Sequence, residues 1–200
     1  MVTELNYAGF LACSTVNGPG RRAVVWVQGC PLRCSGCFNP ELWSFVPRNR
    51  IRAGDLADRI TALPDIEGVT FSGGEPFCQA AALAEVGELV REQGLTVVTF
   101  TGFPFRELRL LQRRSWNALL GATDLLIAGP YRRDLPCSNP LLASANQEIV
   151  HLSGLLRGKE DEPGQAAGTV EYTISAEGVI TTTGFPDRHD SLCRMNTGGC

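Results

Sequence analysis

At 200 residues the chain is long enough to bury a substantial core, and one compact domain is the expectation. Its apolar fraction of 44% and charged fraction of 20% are those of an ordinary globular protein. A net charge of −3, with Arg113-Arg114 and Arg132-Arg133 as local pairs only, offers no basic stripe for nucleic acid. The N-terminus carries no basic and apolar leader, and no apolar run reaches the length of a membrane span. The expectation is therefore a cytoplasmic protein with neither nucleic acid nor membrane as a partner.

Taken in chain order, residues 5–12 suggest a first strand, and Gly18 to Arg22 a turn. Ala23 to Gln28 is a nearly continuous apolar, β-branched run, which predicts a buried strand. Gly29 ends it, and Cys30 to Pro40 follows as a loop. Leu56, Ile60 and Leu63 recur at helical spacing, predicting a helix over 54–63 that Pro64 stops. A strand over 68–72 runs into Gly73-Gly74-Glu75-Pro76. A helix over 79–93 has Leu83, Val86 and Val90 on one face and Gly94 at its end. Residues 95–100 form the next strand. Pro104 then opens a helix with Phe105, Leu108 and Leu111 inward.

Residues 124–128 and 149–152 predict two further strands. A polar loop over 158–168 leads to a β-hairpin over 169–183, where Val170, Tyr172 and Ile174 alternate and Glu177-Gly178 turns the chain. Residues 187–200 show no periodicity and are expected to be a tail beyond a single domain of residues 1–186. Strands alternating with helices imply an α/β fold with a mainly parallel sheet and right-handed crossovers. A closed eightfold barrel takes about 250 residues. The expectation is a partial (β/α) barrel, open on one side, with a C-terminal hairpin.

The chemistry gathers at one rim of that sheet. Ligands of parallel α/β folds bind at the carboxyl ends of the strands. Three features fall there: Cys30-x3-Cys34-x2-Cys37, Ser72-Gly73-Gly74-Glu75-Pro76, and Thr99-Phe100-Thr101-Gly102. Soft thiolates on a tight loop select an iron–sulfur cluster or zinc, and the triplet alone leaves both open. Three cysteines leave one corner of a four-iron cluster free for a small molecule. The glycine pair admits close backbone approach that a Cβ would block, and its N–H and C=O groups could bind an amino-acid head group.

Cys30-Pro-Leu-Arg-Cys34-Ser-Gly-Cys37 resembles the cluster motif of the radical S-adenosylmethionine (SAM) superfamily, and Ser72-Gly73-Gly74-Glu75-Pro76 its SAM-binding motif. The longer string from Trp26 to Trp43 is similar to the activating proteins of glycyl radical enzymes, those of anaerobic ribonucleotide reductases most of all. Gly18-Pro-Gly-Arg21, Thr101-Gly-Phe103, Gly129-Pro-Tyr131, Ser144-Ala-Asn-Gln147 and Gly184-Phe-Pro186 extend the resemblance. It implies a [4Fe–4S] cluster on Cys30, Cys34 and Cys37, with SAM chelated at the open iron. One electron, from a flavodoxin- or ferredoxin-type donor, cleaves SAM to methionine and a 5′-deoxyadenosyl radical, which takes a hydrogen from the substrate. By the same resemblance Gly73, Gly74 and Glu75 hold the methionine part, and Ser72 is a further cofactor-binding residue. Phe38 and Asn39 lie near the adenine and the cluster, and Thr101 is a further contact. No catalytic residue is implied beyond these ligands. The implied substrate is the glycine loop of a glycyl radical enzyme such as anaerobic ribonucleotide reductase.

Two other readings share these residues. One is a stand-alone radical SAM enzyme acting on a small molecule or peptide; the other is a non-enzymatic zinc-binding module. The chain departs from the superfamily pattern at Gly36, often an aromatic there, and at Ala128, where relatives often carry an acid. Cys13, Cys78, Cys137, Cys193 and Cys200 stand outside the motifs. Cys78 is read as a small buried residue, His151 as a hydrogen-bonded core residue, and His189, Cys193 and Cys200 as part of a tail with free thiols. Trp26 and Trp43 are read as packing that shields the cluster loop.

Overall fold

The computed structural model describes residues 3–159, 169–174, 178 and 180–184. The chain opens with strands β1 (Glu4–Ser14) and β2 (Arg22–Val27), then β3 (Asn49–Arg52) and helix α1 (Ala53–Thr61). Strand β4 (Gly68–Gly73), helix α2 (Ala80–Glu92), strand β5 (Thr96–Thr101), helices α3 (Phe105–Leu111) and α4 (Arg114–Ala122), and strand β6 (Leu125–Ala128) follow. Strands β7 (Glu148–His151), β8 (Val170–Ile174) and β9 (Ile180–Gly184) complete it.

The first seven strands form one sheet in the order β3-β1-β2-β4-β5-β6-β7, which does not close; β8 and β9 pair as a separate hairpin. The four central strands β2, β4, β5 and β6 are parallel, joined by helical crossovers. The flanks are antiparallel. Strand β7 runs antiparallel because no helix lies between it and β6. A loop brings the chain straight back. The expected half-open barrel is the observed architecture.

Alternation along the strands sorts the core into two faces. Val25, Val27, Phe71, Val97, Leu126 and Ala128 pack with α1, α2 and α4 in one apolar cluster. Val98, Leu125 and Ile127 face the other way, against Leu141 and Leu156. That second face lines the concave side of the sheet. Parallel pairing sets Trp26 beside Ser72, one step beyond Val24 and Thr70 on the same side of their strands.

Arg22 plugs the foot of the concave side. It is completely buried at the first residue of β2. Its Nε donates to Thr70 Oγ1 at 3.1 Å, Nη1 to Pro19 O and Thr96 Oγ1 at 3.0 Å each, and Nη2 to Val69 O at 3.0 Å and Thr96 O at 2.7 Å. Burial pulls its pKa down to about 10, still far above neutrality. One side chain thereby ties β2, β4, β5 and the preceding turn together. Gly68 makes room for it, since a Cβ there would fall 2.4 Å from Arg22 Nη2.

Several expectations need correction. Leu111 was expected inward but is 46% exposed. Helix α3 ends there, with Gln112 in the left-handed region at φ +46°, and the chain swings outward. Helix α4 was not anticipated, because its apolar face (Trp116, Leu119, Leu120) begins behind an arginine pair. Strand β3 was missed because its Asn-Arg-Ile-Arg sequence has little apolar content and sits at a sheet edge. The predicted hairpin is present, with Tyr172 opposite Thr182. The polar stretch 160–168, the turn residue Glu177, Phe185-Pro186 and the tail 187–200 lie outside the described residues.

Replacing Arg22 by Met should leave the carbonyls of Pro19, Val69 and Thr96 buried and bare. The expected loss is about 3 kcal/mol or more of unfolding free energy in urea titration. A loss under about 1 kcal/mol would show that the plug is dispensable.

Candidate functional site

The loop after β2 is closed by two backbone bonds: Gly29 N–H to Leu42 O at 2.9 Å and Cys30 N–H to Trp43 O at 3.2 Å. Within it Arg33 at φ +47° and Gly36 at φ +75° adopt left-handed backbone. These two residues curl the chain so that Cys30, Cys34 and Cys37, all half-buried, line one cleft. Gly36 departs from the superfamily pattern for a visible reason. A Cβ at that residue would meet Arg133 Cδ at 2.8 Å, on a backbone few side chains tolerate.

The Gly-Gly-Glu turn is the opposite wall. Gly73 has φ +99°, and a Cβ on it would lie 2.7 Å from Trp26 Cα; one on Gly74 would lie 2.4 Å from Gly29 O. The glycines thus let the end of β4 press against the end of β2. Gly74 N–H donates to Val27 O and Glu75 N–H to Gly29 O, each at 2.8 Å. These two N–H groups are engaged within the protein, so any head-group hydrogen bond from this turn must come from elsewhere along it.

Glu75 is buried, and its carboxylate faces the protein frame. Oε1 accepts from Phe77 N–H at 2.9 Å and Thr101 Oγ1 at 2.8 Å; Oε2 accepts from Gly102 N–H at 2.9 Å. Burial pushes its pKa up to about 7 against those three donors. Thr101 also accepts from Phe103 N–H at 3.1 Å. Glu75 therefore fastens the turn after β4 to the turn after β5.

Every residue expected in the site borders the same open cleft, with about 750 Å³ of empty space: Cys30, Cys34, Cys37, Phe38, Asn39, Ser72 and the stretch Gly73 to Glu75, with Thr101. The structure adds residues that sequence reasoning did not assign. Tyr131 packs against Phe38 with the rings tilted by 43° and their centroids 4.8 Å apart. Gln147 braces the loop after β6. Its Nε2 donates to Gly129 O at 2.9 Å, and its Oε1 accepts from Ala143 N–H at 2.9 Å and Ser144 N–H at 3.2 Å. Both lie in strings already singled out, Gly129-Pro-Tyr131 and Ser144 to Gln147, but no spacing assigned them to the cleft. Trp43, read as packing, lines it as well. Cys78 corrects the expectation of burial: it is exposed.

The donor set fits a cluster. Burial pushes the Cys30 and Cys34 thiols up, partly offset by the N–H groups of Leu32 and Arg33 and of Tyr131, respectively. Among the described residues no three His, Cys, Asp or Glu side chains converge on a single-ion point. Cys30, Cys34 and Cys37 share one loop that lines the cleft, and soft thiolates so placed suit an iron–sulfur cluster. The Trp43 indole N–H, buried and without a protein partner, is a donor suited to an acceptor-rich guest.

A family model for the 4Fe-4S single cluster domain matches residues 16–150. The pyruvate formate-lyase-activating enzyme of Clostridium pasteurianum is 35% identical over 118 residues, 56% of this chain and 46% of that protein. That of Listeria monocytogenes is 32% identical over 158 residues, 73% of this chain and 61% of that protein. The anaerobic ribonucleoside-triphosphate reductase-activating protein of Vibrio cholerae is 32% identical over 160 residues, 74% of this chain and 97% of that protein. The chain thus spans about half to three-fifths of the lyase-activating relatives it matches. Among the described residues no helix is long and apolar enough to cross a membrane.

The raised Glu75 pKa has a definite sign. Its folded value lies above the ordinary value of 4.5, so its contribution to stability is fully present below pH 4.5 and is lost as pH rises through about 7. Glu75→Gln removes that dependence. In urea titrations of the metal-free protein, the stability advantage of the wild type over the variant should shrink from pH 4.5 to about 7. A difference that stays constant across this window would contradict the assignment.

Proposed function

The chain belongs to the 4Fe-4S single cluster family of radical SAM activating enzymes, with a [4Fe–4S] cluster and SAM as cofactors, and from that premise we infer that it activates a glycyl radical enzyme of the anaerobic ribonucleotide reductase kind. The observation that carries this reading is the shared cleft: three thiols on one wall and the Gly-Gly-Glu turn on the other. Its extent supports the reductase in particular, since it spans 97% of the Vibrio cholerae reductase-activating protein.

In this reading Cys30, Cys34 and Cys37 hold the cluster. The turn from Ser72 to Glu75 would hold the methionine part of SAM through groups other than the Gly74 and Glu75 N–H, with the Glu75 carboxylate bracing the turn from behind. Bound together, the two cofactors supply a one-electron cleavage that yields a hydrogen-abstracting species. The protein's work is orientation and shielding. Phe38, packed against Tyr131, and Asn39 line the cleft and would flank the adenine and the cluster. Thr101 acts through Glu75, fixing the turn that grips SAM. Gln147 keeps the loop after β6 from falling into the cleft. The open side of the sheet admits a macromolecular substrate, here the glycine loop of the partner. The electron comes from a flavodoxin- or ferredoxin-type protein.

The test is anaerobic reconstitution, reduction, and incubation with SAM and an anaerobic ribonucleotide reductase. Electron paramagnetic resonance should then show a glycyl radical on the reductase, and Cys34→Ala should abolish it. SAM cleavage with no radical on the reductase would contradict the reading. A radical formed only on pyruvate formate-lyase would reassign the partner.

A further inference from the structure

The cysteine loop carries a charged neighbour that the proposed reaction has not used. The chain after β6 returns over this loop and touches it at three places. The Tyr131 N–H donates to the Cys34 sulfur. The Tyr131 ring packs against Phe38, the residue after Cys37. Two residues further on, the stem of Arg133 lies across Gly36. A Cβ on Gly36 would fall 2.8 Å from Arg133 Cδ, 3.4 Å from its Cβ and 3.5 Å from its Cγ.

Close approach of all three stem carbons means that the side chain lies along the glycine and does not merely meet it with its tip. Only the guanidinium extends beyond Cδ. Whichever way that group turns, its charge stays within its own length of Gly36, which lies between Cys34 and Cys37 in the loop. Gly36 and Arg133 are therefore a pair: any bulky side chain at residue 36 would displace the stem and its charge with it.

Neighbouring groups leave this charge standing. Arg132 is paired with Asp134 at 2.7 Å, so those two offset one another. The Glu75 carboxyl of the opposite wall is buried and turned toward Phe77, Thr101 and Gly102. Arg33, exposed on the cysteine loop itself, has the same sign as Arg133. Among the described residues Arg133 enters no ion pair.

Reducing a [4Fe–4S] cluster from the 2+ to the 1+ state adds one negative charge beside three thiolates. A cation fixed nearby stabilises the reduced state more than the oxidised one, and so raises the reduction potential. We propose that Arg133, seated on Gly36, raises the reduction potential of the cluster held by Cys30, Cys34 and Cys37, so that a weaker one-electron donor suffices to load it. Arg133 acts through space, as a tuning residue and not a catalytic one. The proposal rests on the reading of the three cysteines as cluster ligands.

Arg133→Met keeps an unbranched stem and removes the charge, Arg133→Lys keeps both, and Arg133→Glu reverses the sign. Arg133 is exposed, so these variants leave the core intact. Arg157→Met is the control. It removes the same charge from the chain beyond β7, whose last residue pairs with the first of β6 at the end of the sheet away from the cysteines. Each full-length protein is reconstituted anaerobically and titrated without SAM, with dithionite as the electron source and redox dyes as mediators. Electron paramagnetic resonance counts the reduced cluster.

At the wild-type midpoint, Arg133→Met should hold about threefold less reduced cluster relative to oxidised, and Arg133→Glu less again, while Arg133→Lys and Arg157→Met match the wild type. Raising the salt to about 1 M should narrow the gap between wild type and Arg133→Met, because screening weakens a charge effect and not a packing effect. An unchanged midpoint in Arg133→Met and Arg133→Glu, with the cluster fully assembled, would overturn the tuning role alone. So would an equal fall in Arg133→Lys, which would show that packing and not charge is responsible. A wild type that assembles no four-iron cluster would overturn the cluster reading and the proposal with it.

Discussion

The structure turns on the junction where the ends of β2 and β4 meet. Gly74 N–H to Val27 O and Glu75 N–H to Gly29 O, both 2.8 Å, carry the parallel ladder past the last regular residues of both strands. They do so only because Gly73 and Gly74 have no Cβ to collide with Trp26 and Gly29. Everything chemical hangs from that seam. The cysteine loop departs directly from Gly29, and the Gly-Gly-Glu turn directly from Gly73. Joining the two strands here sets thiols and turn on facing walls of one cleft.

The seam is braced from both directions. Above it, Glu75 reaches across to Thr101 and Gly102, so the ends of β4 and β5 move as one unit. Below it, Arg22 gathers β2, β4 and β5 from inside. Both are buried ionisable groups satisfied by several hydrogen bonds, the condition under which burial of charge is tolerated. Their cost is the counterpart of preorganisation: a site that must orient a reactive species gains from walls that do not shift.

Much of this was legible in the sequence because the pattern was local. The run Ala23 to Val27 and the pairing of Gly73-Gly74-Glu75 with an adjacent strand end place the site before any coordinates. Periodicity fixed α1 and α2 within two residues for the same reason. What escaped was long-range or polar. Arg22 reads as a turn residue until Thr70 and Thr96 are brought to it from 48 and 74 positions away. The glycine pair reads as a ligand cradle, and its close contact with Trp26 and Gly29 across the strands is not visible in the sequence. Thr101 reads as a ligand contact, and its hydroxyl also holds Glu75 from 26 positions away, which no local pattern shows. Cys78 reads as a small buried residue, whereas it is exposed within the short helical turn Pro76–Gln79. Spacing reveals which residues share an element, but not which backbone groups another strand has already taken.

We propose that Cys30, Cys34 and Cys37 hold a four-iron cluster with one iron left open to SAM. The most direct measurement is the Mössbauer spectrum of protein reconstituted with the Mössbauer-active iron isotope, recorded with and without SAM. One iron of the four should be distinct and change its parameters when SAM is added, while the other three stay as they were. A spectrum that ignores SAM, or a protein that retains zinc and no iron, would contradict it.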